Sequence, residues 1–360
     1  MATRNEAPAL MAIHPGSILK EELLERGISQ KVFAGMIEMQ PSHLSEIIKG
    51  KRSITKQVAD KLEEVLGIPS IDWVKLQIRF DYDTKQNEER SIAETAAYQV
   101  YQEYNKIFDV KTLAARAGIG SSSYSGIISF FQERFVLPEP ARLQSQTNGL
   151  FKKSAKVGKD PRMIMTWMLL AKQYAYTHSI ENEYDESKLP ELIPQLCSIL
   201  HANVNTIQLL EERFAEYGIL FGVVPKVDGA SIDGYSFDYE SHPCIIVTAR
   251  FDRIDNLAFA VMHELGHIMN HDNEDCRVDL GDYNHESPEE KAANAFAADS
   301  LIPDEKWKTV PKVYPSSSAI QKLCNAWAND NGYNKWIVLG RIGHDTGMYK
   351  FKNDTSRKIS

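Results

Sequence analysis

The chain has 360 residues, of which 43% are hydrophobic and 25% are charged, and this length suggests two or three domains with cores of their own. A net charge of −8 argues against a protein that coats nucleic acid regardless of sequence. No apolar run is long enough for a signal sequence or a membrane-spanning helix, and the four cysteines form no CxxC pair. We therefore expect a cytoplasmic protein with reduced thiols.

The charge is unevenly distributed along the chain. Of its 41 basic and 49 acidic residues, 11 and 10 lie within residues 1–80, which makes that part +1 and the remainder −9. A nucleic-acid contact is therefore expected in the N-terminal part, where Lys49, Lys51, Arg52 and Lys56 cluster.

Residues 16–67 predict short helices separated by tight turns. Helices are expected over residues 17–26, 30–37, 41–48 and 55–66, with a further one over 70–80, and Ser29 can cap the second. The second and third have the spacing of a helix-turn-helix unit. Its expected interior consists of Val32, Phe33, Ile37, Leu44, Ile47 and Ile48.

The third helix would present polar side chains outward. Small polar groups there can read base edges, and basic groups after it suit phosphates. The candidates for DNA contact are Gln30, Gln40, Ser42, His43, Ser45, Lys49, Lys51 and Arg52. The alternative is a helical domain that contacts proteins and not DNA.

Two residues of this unit are unusual for such a role. Glu38 stands in the turn where glycine is common, and a positive φ there would cost about 1–3 kcal/mol unless the turn differs. Glu46 lies among the outward positions, where a carboxylate would weaken phosphate binding or accept a hydrogen bond from cytosine N4.

The N-terminal sequence resembles the HigA branch of the Xre-type regulators. The resemblance covers about residues 14–81 and rests on HPGSILKEELLERGISQ and HLSEIIKGKRSITKQVADKLEEVLGIPSIDWVKLQIRFD. It implies an antitoxin that binds operator DNA, represses its own operon, binds a cognate toxin and is usually a homodimer.

The middle of the chain is read as mostly helical. A polar joint is expected at residues 82–89, followed by helices over 91–108, 121–135, 161–176, 192–201 and 206–217 and a loop or extended segment over 138–160. Three roles stay open for this region: a dimerisation segment, a cover over a metal site, or a toxin-binding surface.

From Gly218 onward the sequence becomes rich in β-formers. Strands are predicted over residues 219–224 and 244–248, with a Gly-, Asp- and Ser-rich stretch between them. Helices are then expected over 256–270, 288–300, 319–329 and 335–344, and the final KNDTSRKIS is expected to be disordered.

The helix over 256–270 contains an HExxH motif. Residues i and i+4 share a helix face, so His263 and His267 can bind one ion, whereas Glu264 is rotated by about 100° and can act as a general base. Zn2+ suits two imidazoles, one carboxylate and a water. Glu290 on the next helix is the candidate third ligand, with Glu289 as its competitor.

His271 is also four residues from His267, but it falls at the helix end and is read as a cap or a surface residue. The alternatives to a catalytic centre are a site that binds metal without catalysis and a helix with two surface histidines.

The C-terminal sequence resembles the ImmA/IrrE metallopeptidase family over about residues 205–345. The resemblance rests on HELGHIMNH, EEKAANAFAADSLIP and NKWIVLGRIGHD, the last around Gly340 and Arg341. It implies a zincin-like fold, zinc ligands at His263, His267 and Glu290, a general base at Glu264, and cleavage of repressor-type regulators. Many members carry another Glu where this chain has Ala292, which makes Glu290 the clearer ligand.

The predicted fold class is mainly α with a small β-sheet: a lambda-repressor-like helix-turn-helix domain at residues 1–81, a helical linking region at 82–204, an α+β zincin-like domain at 205–345 and a tail at 346–360. The predicted function is a DNA-binding regulator of antitoxin type with a zinc metallopeptidase domain that cleaves a regulator or partner. One alternative is a non-catalytic antitoxin or repressor whose degenerate zincin domain binds a toxin or senses a ligand. Another is a peptidase whose N-terminal helices recognise substrate.

Overall fold

The computed structural model describes residues 11–120, 123–147, 160–271, 287–311 and 316–360. These residues are mainly helical and contain one small sheet, which confirms the predicted fold class. They form two compact units, one holding the described residues as far as Gln99 together with 123–125, the other holding the rest. Among the described helices, none is both long and apolar enough to cross a membrane.

The first unit is a small bundle of helices. These are α1 (Pro15–Glu25), α2 (Gln30–Met36), α3 (Pro41–Ile48), α4 (Lys56–Leu66) and the beginning of α5 (Ser70–Ile107). Ser29 caps α2 as expected, since its hydroxyl accepts a hydrogen bond from the Val32 N–H at 3.4 Å. Leu19, Phe33, Leu44 and Trp73 are fully buried between the helices.

The prediction that Val32 lies in the core of this unit is wrong. Val32 is 57% exposed, whereas Phe33, Ala34 and Ile37 are buried. Those three positions lie on one face of α2, and Val32 and Met36 lie on the opposite face. Ile48, also predicted inside, is only partly buried.

The turn between α2 and α3 has the positive φ that glycine would favour. Glu38 adopts a φ of 48°. The Lys61 ammonium donates hydrogen bonds to the carbonyl oxygens of Ile37 at 2.9 Å and Glu38 at 3.3 Å, which stabilises the turn from α4.

The predicted joint at residues 82–89 does not exist, because α5 continues through it. The segment is polar but contains neither glycine nor proline. Its side chains also pair along the helix surface, with Arg79 bonded to Asp83 at 2.9 Å and Lys85 lying 3.9 Å from Glu89.

The second unit begins within α5. Its further helices come both before and after the strands in chain order. They are α6 (Val110–Arg116), α7 (Tyr124–Arg134), α8 (Pro161–Thr177), α9 (Leu189–Ala202), α10 (Thr206–Glu216), α11 (Ile254–Met269), α12 (Pro288–Leu301), α13 (Asp304–Trp307), α14 (Ser317–Asn331) and α15 (Lys335–Thr346). Tyr124 and Ser125, the first two residues of α7, belong with the first unit.

The extended segment predicted over 138–160 is wrong in part, because residues 140–147 are helical. Pro140 suits the first turn of a helix, where its missing N–H is not needed. Residues 148–159 of that segment, the start of the helix predicted from 121, and Cys276 lie outside the described residues. Cys197, Cys244 and Cys324 are free thiols.

The sheet has three strands in the order β1-β3-β2. Strand β1 (Leu220–Val223) pairs in parallel with β3 (His242–Val247), and β2 (Gly234–Tyr239) pairs antiparallel with β3. Helix α8 packs against this sheet segment: the Trp167 indole donates to the Val224 carbonyl at 3.1 Å, and the Tyr174 ring fills the space beside Gly222. Part of the middle region is thus a cover for the sheet.

The prediction of a disordered tail is also wrong. Residues Thr355–Arg357 form a 3-10 turn, and Arg357 is only 8% exposed. Its guanidinium donates to Asp255 at 2.9 and 3.2 Å and lies 4.7 Å from the centre of the Trp336 ring. This buried pairing attaches the tail to the beginning of α11.

Candidate metal centre

Helix α11 carries the HExxH motif through the centre of the second unit. The helix packs into the hydrophobic core through its own apolar side chains, among them Leu257, Val261, Met262, Leu265 and Ile268. His263, Glu264 and His267 are 2%, 4% and 3% exposed. Such burial is costly for polar groups without partners, so these three side chains need partners within the fold.

Helix α12 brings Glu290 to this motif. The helix begins at Pro288, and the Ser287 hydroxyl accepts a hydrogen bond from the Glu290 N–H at 3.3 Å, so Glu290 lies in the first turn. Gly266 lets α12 approach closely, because a Cβ at that position would lie 3.1 Å from the Ala293 Cα.

Three ligand atoms converge between the two helices. The Nε2 atoms of His263 and His267 are 3.0 Å apart, and Glu290 Oε2 lies 3.3 Å from the first and 3.6 Å from the second. Within the part of the chain that the structure describes, these three residues form a group able to hold a metal ion. The competitor Glu289 is not in this group.

The residues of this group shift one another's pKa values. Burial favours the neutral acid, but both imidazoles lie close to Glu290 and hold the pKa of its carboxyl well below the usual range. Burial likewise disfavours a charged imidazole, yet the contact with Glu290 and the charge of Glu264 raise the pKa of His267. The three side chains are therefore electrostatically coupled.

The hydrogen bonds of these residues are consistent with a bound metal ion. Glu290 Oε2 is buried without a hydrogen-bond partner. His263 Nδ1 lies 2.9 Å from Asn294 Oδ1, an acceptor, which places the imidazole proton on Nδ1 and a lone pair on Nε2. Two imidazoles and a carboxylate are a common donor set for zinc, so the residues present fit that ion.

Glu264 lies beside this group and contacts strand β2. The Ser236 hydroxyl donates to Glu264 Oε2 at 2.8 Å. Gly234 leaves room for the same side chain, because a Cβ there would come within 2.6 Å of Glu264 Oε1. The carboxylate is therefore held in one place by the strand.

Sequence reasoning missed the roles of Ser236 and Asn294. Asn294 follows Glu290 by one helical turn, so its position on the same face of α12 was a usable signal. Ser236 lies 28 residues before Glu264 on a strand, and no local pattern connects the two.

Two other predicted residues fall outside the group. His271 is a surface residue, as expected, and pairs with Glu186 at 3.1 Å. Arg341 donates to the carbonyl oxygens of Ala298 at 2.8 Å and Ile302 at 2.6 Å, so it caps the end of α12.

The first unit places most DNA candidates on its surface. Ser45 is partly buried, and the other seven are exposed: Gln30, Gln40, Ser42, His43, Lys49, Lys51 and Arg52. Arg52 Nε lies 2.9 Å from Glu46 Oε2, so the basic group is paired with the unusual acid of α3.

Family models match both ends of the chain. A helix-turn-helix model matches residues 19–73, and the model of the IrrE N-terminal-like domain, a peptidase family, matches residues 222–324. The second match contains the three candidate ligands, His263, His267 and Glu290, and the candidate base Glu264.

Two curated relatives each match a quarter of the chain or less. Virulence-associated protein I of Dichelobacter nodosus is 35% identical over 92 residues, which cover 25% of this chain and 82% of that protein. The HTH-type transcriptional regulator YddM of Escherichia coli K12 is 39% identical over 69 residues, covering 19% of this chain and 73% of that protein.

Two solved structures align with about a quarter of the chain. One is a proposed antidote protein of a plasmid maintenance system from Nostoc punctiforme, with 28% identity, coverage of 23% of this chain and 92% of that one, and a TM-score of 0.23. The other is an addiction module antidote protein of the HigA family from Coxiella burnetii, with 29% identity, coverage of 24% and 95%, and a TM-score of 0.22.

Proposed function

Because the chain belongs to the helix-turn-helix family at residues 19–73 and to the family of IrrE N-terminal-like domains at residues 222–324, we propose that this DNA-binding regulator is of antitoxin type and carries a zinc-dependent peptidase domain. Its substrate would be a regulator or partner protein. One observation carries the proposal: His263, His267 and Glu290 converge beside Glu264, which Ser236 holds in place.

The proposed reaction is hydrolysis of a peptide bond. His263, His267 and Glu290 would hold zinc, which supplies a Lewis acid for the scissile carbonyl and for the attacking water. Glu264 would take a proton from that water and transfer it to the leaving nitrogen. Ser236 would keep the Glu264 carboxylate in position, and Asn294 would keep His263 in the tautomer whose Nε2 faces the other ligands.

The peptidase activity can be tested with Glu264→Gln. Zinc-loaded wild type and variant would be incubated alone, with a toxin encoded by a neighbouring gene and with partner regulators, and the products read by mass spectrometry. We expect cleavage by the wild type that is lost in Glu264→Gln and kept in Glu289→Gln, a matched change beside a ligand. Identical products from wild type and Glu264→Gln would refute the activity.

The DNA contacts of the first unit can be tested on a duplex from the protein's own promoter. Lys51→Ala and Arg52→Ala should each weaken binding several-fold and reduce the salt slope by about one. Lys85→Ala, a surface change on α5, serves as the control. Glu46→Gln releases Arg52 from its ion pair and should strengthen binding. Unchanged affinity in both alanine variants would exclude these residues from the DNA contact.

We further propose that a homodimer binds the operator and that a cognate toxin is a partner. The support for both is the resemblance of residues 14–81 to HigA-type antitoxins. Sedimentation of the protein with and without operator DNA tests the first, and co-purification with the toxin tests the second.

A further inference from the structure

The segment at residues 14–16 begins α1 and lies against the end of α3. Pro15 occupies the first helical position, and His14 Nδ1 caps the helix by accepting a hydrogen bond from the Gly16 N–H at 2.9 Å. A Cβ at Gly16 would lie 1.8 Å from the Ile47 carbonyl oxygen, so only glycine lets the start of α1 touch that carbonyl. The positive end of α1 therefore meets the negative end of α3.

The turn that follows α3 starts from the same carbonyl. The Ile47 oxygen accepts a hydrogen bond from the Gly50 N–H at 3.0 Å, and the Glu46 oxygen accepts one from the Lys51 N–H at 2.8 Å. Gly50 has a φ of 72°, in the left-handed region that glycine favours. The turn carries three exposed candidates for DNA contact, Lys49, Lys51 and Arg52. The backbone of this turn therefore decides where the three cations lie.

The His14 ring lies beside this turn and packs against α5. A Cβ at Gly50 would lie 3.5 Å from His14 Cγ, which is an ordinary van der Waals contact. The ring also meets Phe80 of α5 in a T-shaped pair, with centroids 4.7 Å apart and planes at 81°. Burial lowers the pKa of His14 below its ordinary value of 6.5, although the charge of Asp81 opposes this. The neutral ring has the Nδ1 lone pair that the Gly16 N–H requires.

Helix α5 also holds the other end of this segment. The side-chain oxygen of Gln77 accepts a hydrogen bond from the Ile54 N–H at 2.8 Å, and its amide nitrogen donates to Asp81 at 2.9 Å. Both Gln77 and Ile54 are buried. Residues 50–54 are thus held at one end beside the His14 ring and at the other end by Gln77. The exposed basic side chains lie between these two attachments.

We propose that the His14 ring is a positioning residue for DNA binding, which holds the turn at residues 49–52 so that Lys51 and Arg52 meet phosphates. This proposal rests on the proposed DNA contact of those two residues. A turn that is ordered before binding avoids the loss of backbone freedom that a loose turn would undergo on the duplex. His14 lies outside residues 19–73, the stretch that the helix-turn-helix model matches. The DNA-binding machinery would therefore begin before that stretch.

The test uses two substitutions that separate the ring from the cap. His14→Asn keeps a side-chain oxygen that can accept from the Gly16 N–H but loses the ring, whereas His14→Phe keeps a ring and loses the cap. Binding of the full chain to a duplex from its own promoter, and to a shuffled duplex of equal length, is measured by fluorescence anisotropy. We expect His14→Asn to weaken binding to both duplexes about 10-fold, because phosphate contacts carry no sequence information, and His14→Phe to stay within about 3-fold of the wild type. His178→Asn, the same change at an exposed histidine of the second unit, is the matched control.

A double-mutant cycle distinguishes positioning from a general loss of stability. If His14 acts through Lys51 and Arg52, His14→Asn should weaken binding by less than about 2-fold once both of those residues are alanine. A histidine needed only for the fold would keep its full effect in that background, because it would change the fraction of folded protein. Phe80→Leu removes the other ring of the pair and should reproduce the effect of His14→Asn, should the latter not fold.

The outcomes separate this proposal from the proposed function. Wild-type affinity in both His14→Asn and Phe80→Leu, or a full additive effect in the cycle, would overturn the role of His14 and leave the DNA contact standing. Equal losses in His14→Asn and His14→Phe would overturn the role of the ring. The DNA contact itself is judged by Lys51→Ala and Arg52→Ala alone: if neither changes the affinity, that contact fails and this inference fails with it.

Discussion

Single residues that are not ligands decide how well the candidate metal centre can bind an ion. Asn294 accepts from His263 Nδ1 at 2.9 Å and so fixes the tautomer in which Nε2 faces His267 and Glu290. Removing such a partner typically weakens metal binding by 10- to 100-fold. We therefore expect Asn294→Ala to raise the zinc dissociation constant by roughly that factor, as measured by competition with a chromophoric chelator.

Asn294→Asp provides the matched comparison, because a carboxylate can accept the same hydrogen bond. It should retain most of the zinc affinity. If Asn294→Ala binds zinc as tightly as the wild type, the amide does not orient His263.

In the first unit, Glu38 is a single residue that affects stability through its backbone conformation. Its φ of 48° brings the Cβ of a non-glycine residue close to backbone atoms, at a cost of about 1–2 kcal/mol. Glu38→Gly removes this strain, but glycine is also more flexible in the unfolded chain, which offsets part of the gain in stability. The substitution should therefore raise the free energy of unfolding of this unit by about 1 kcal/mol, as measured by urea unfolding. Glu38→Ala retains the Cβ and should change stability much less. Equal stability of the two variants would argue against strain at this turn.

At the scale of elements, the final residues are attached to the helix that carries the two histidines of the candidate metal centre. Arg357 and Arg253 both donate to Asp255 in the first turn of α11. Arg357→Ala leaves a buried carboxylate with one arginine, and we expect a loss of about 2–3 kcal/mol in the free energy of unfolding, below the loss for a fully unpaired charge. Lys358→Ala, at an exposed position, should cost less than about 0.5 kcal/mol. Comparable effects of the two changes would contradict this role for the tail.

His201 joins three helices around the same unit. Its Nδ1 accepts from the Asn334 N–H at 3.1 Å, before α15, and its Nε2 donates to the Leu301 carbonyl at 2.9 Å, at the end of α12. Both ring nitrogens are thus used by the neutral form. Burial lowers the pKa of His201 below its ordinary value of 6.5, although the bond to Leu301 opposes this.

A pH dependence of stability follows from that direction. A lowered pKa in the folded state means that the contribution is complete above the unfolded pKa of about 6.5 and is lost as pH falls below it. The free energy of unfolding in urea should therefore fall more between pH 7.5 and pH 5.5 for the wild type than for His201→Gln. Parallel pH profiles for the two proteins would show that His201 does not contribute.

At the scale of the whole molecule, patterns of fixed helical spacing were predictable and long-range partners were not. The i and i+4 spacing predicted that His263 and His267 share a face, and their Nε2 atoms are 3.0 Å apart. The choice between Glu289 and Glu290 depends on how α12 packs through Gly266, which spacing alone does not determine. Ser236 and Arg357 reach their partners across 28 and 102 residues, so no local signal indicated them.

The errors in element prediction have the same origin. The polarity of residues 82–89 predicts a joint, but the segment contains no helix breaker and its charged side chains pair along α5. The charged tail predicts disorder, but Arg357 pairs with the buried carboxylate of Asp255. In both segments, polar side chains are satisfied by charge pairing within the fold and not by exposure to water.

The central claim is that the second unit binds zinc through His263, His267 and Glu290. Elemental analysis of the purified wild type, beside Glu290→Ala, tests it most directly. We predict about one zinc per chain in the wild type and a marked loss in the variant. A wild type that holds no zinc after the ion is added back would contradict the account, and the C-terminal domain would then be a fold that binds partners without metal chemistry.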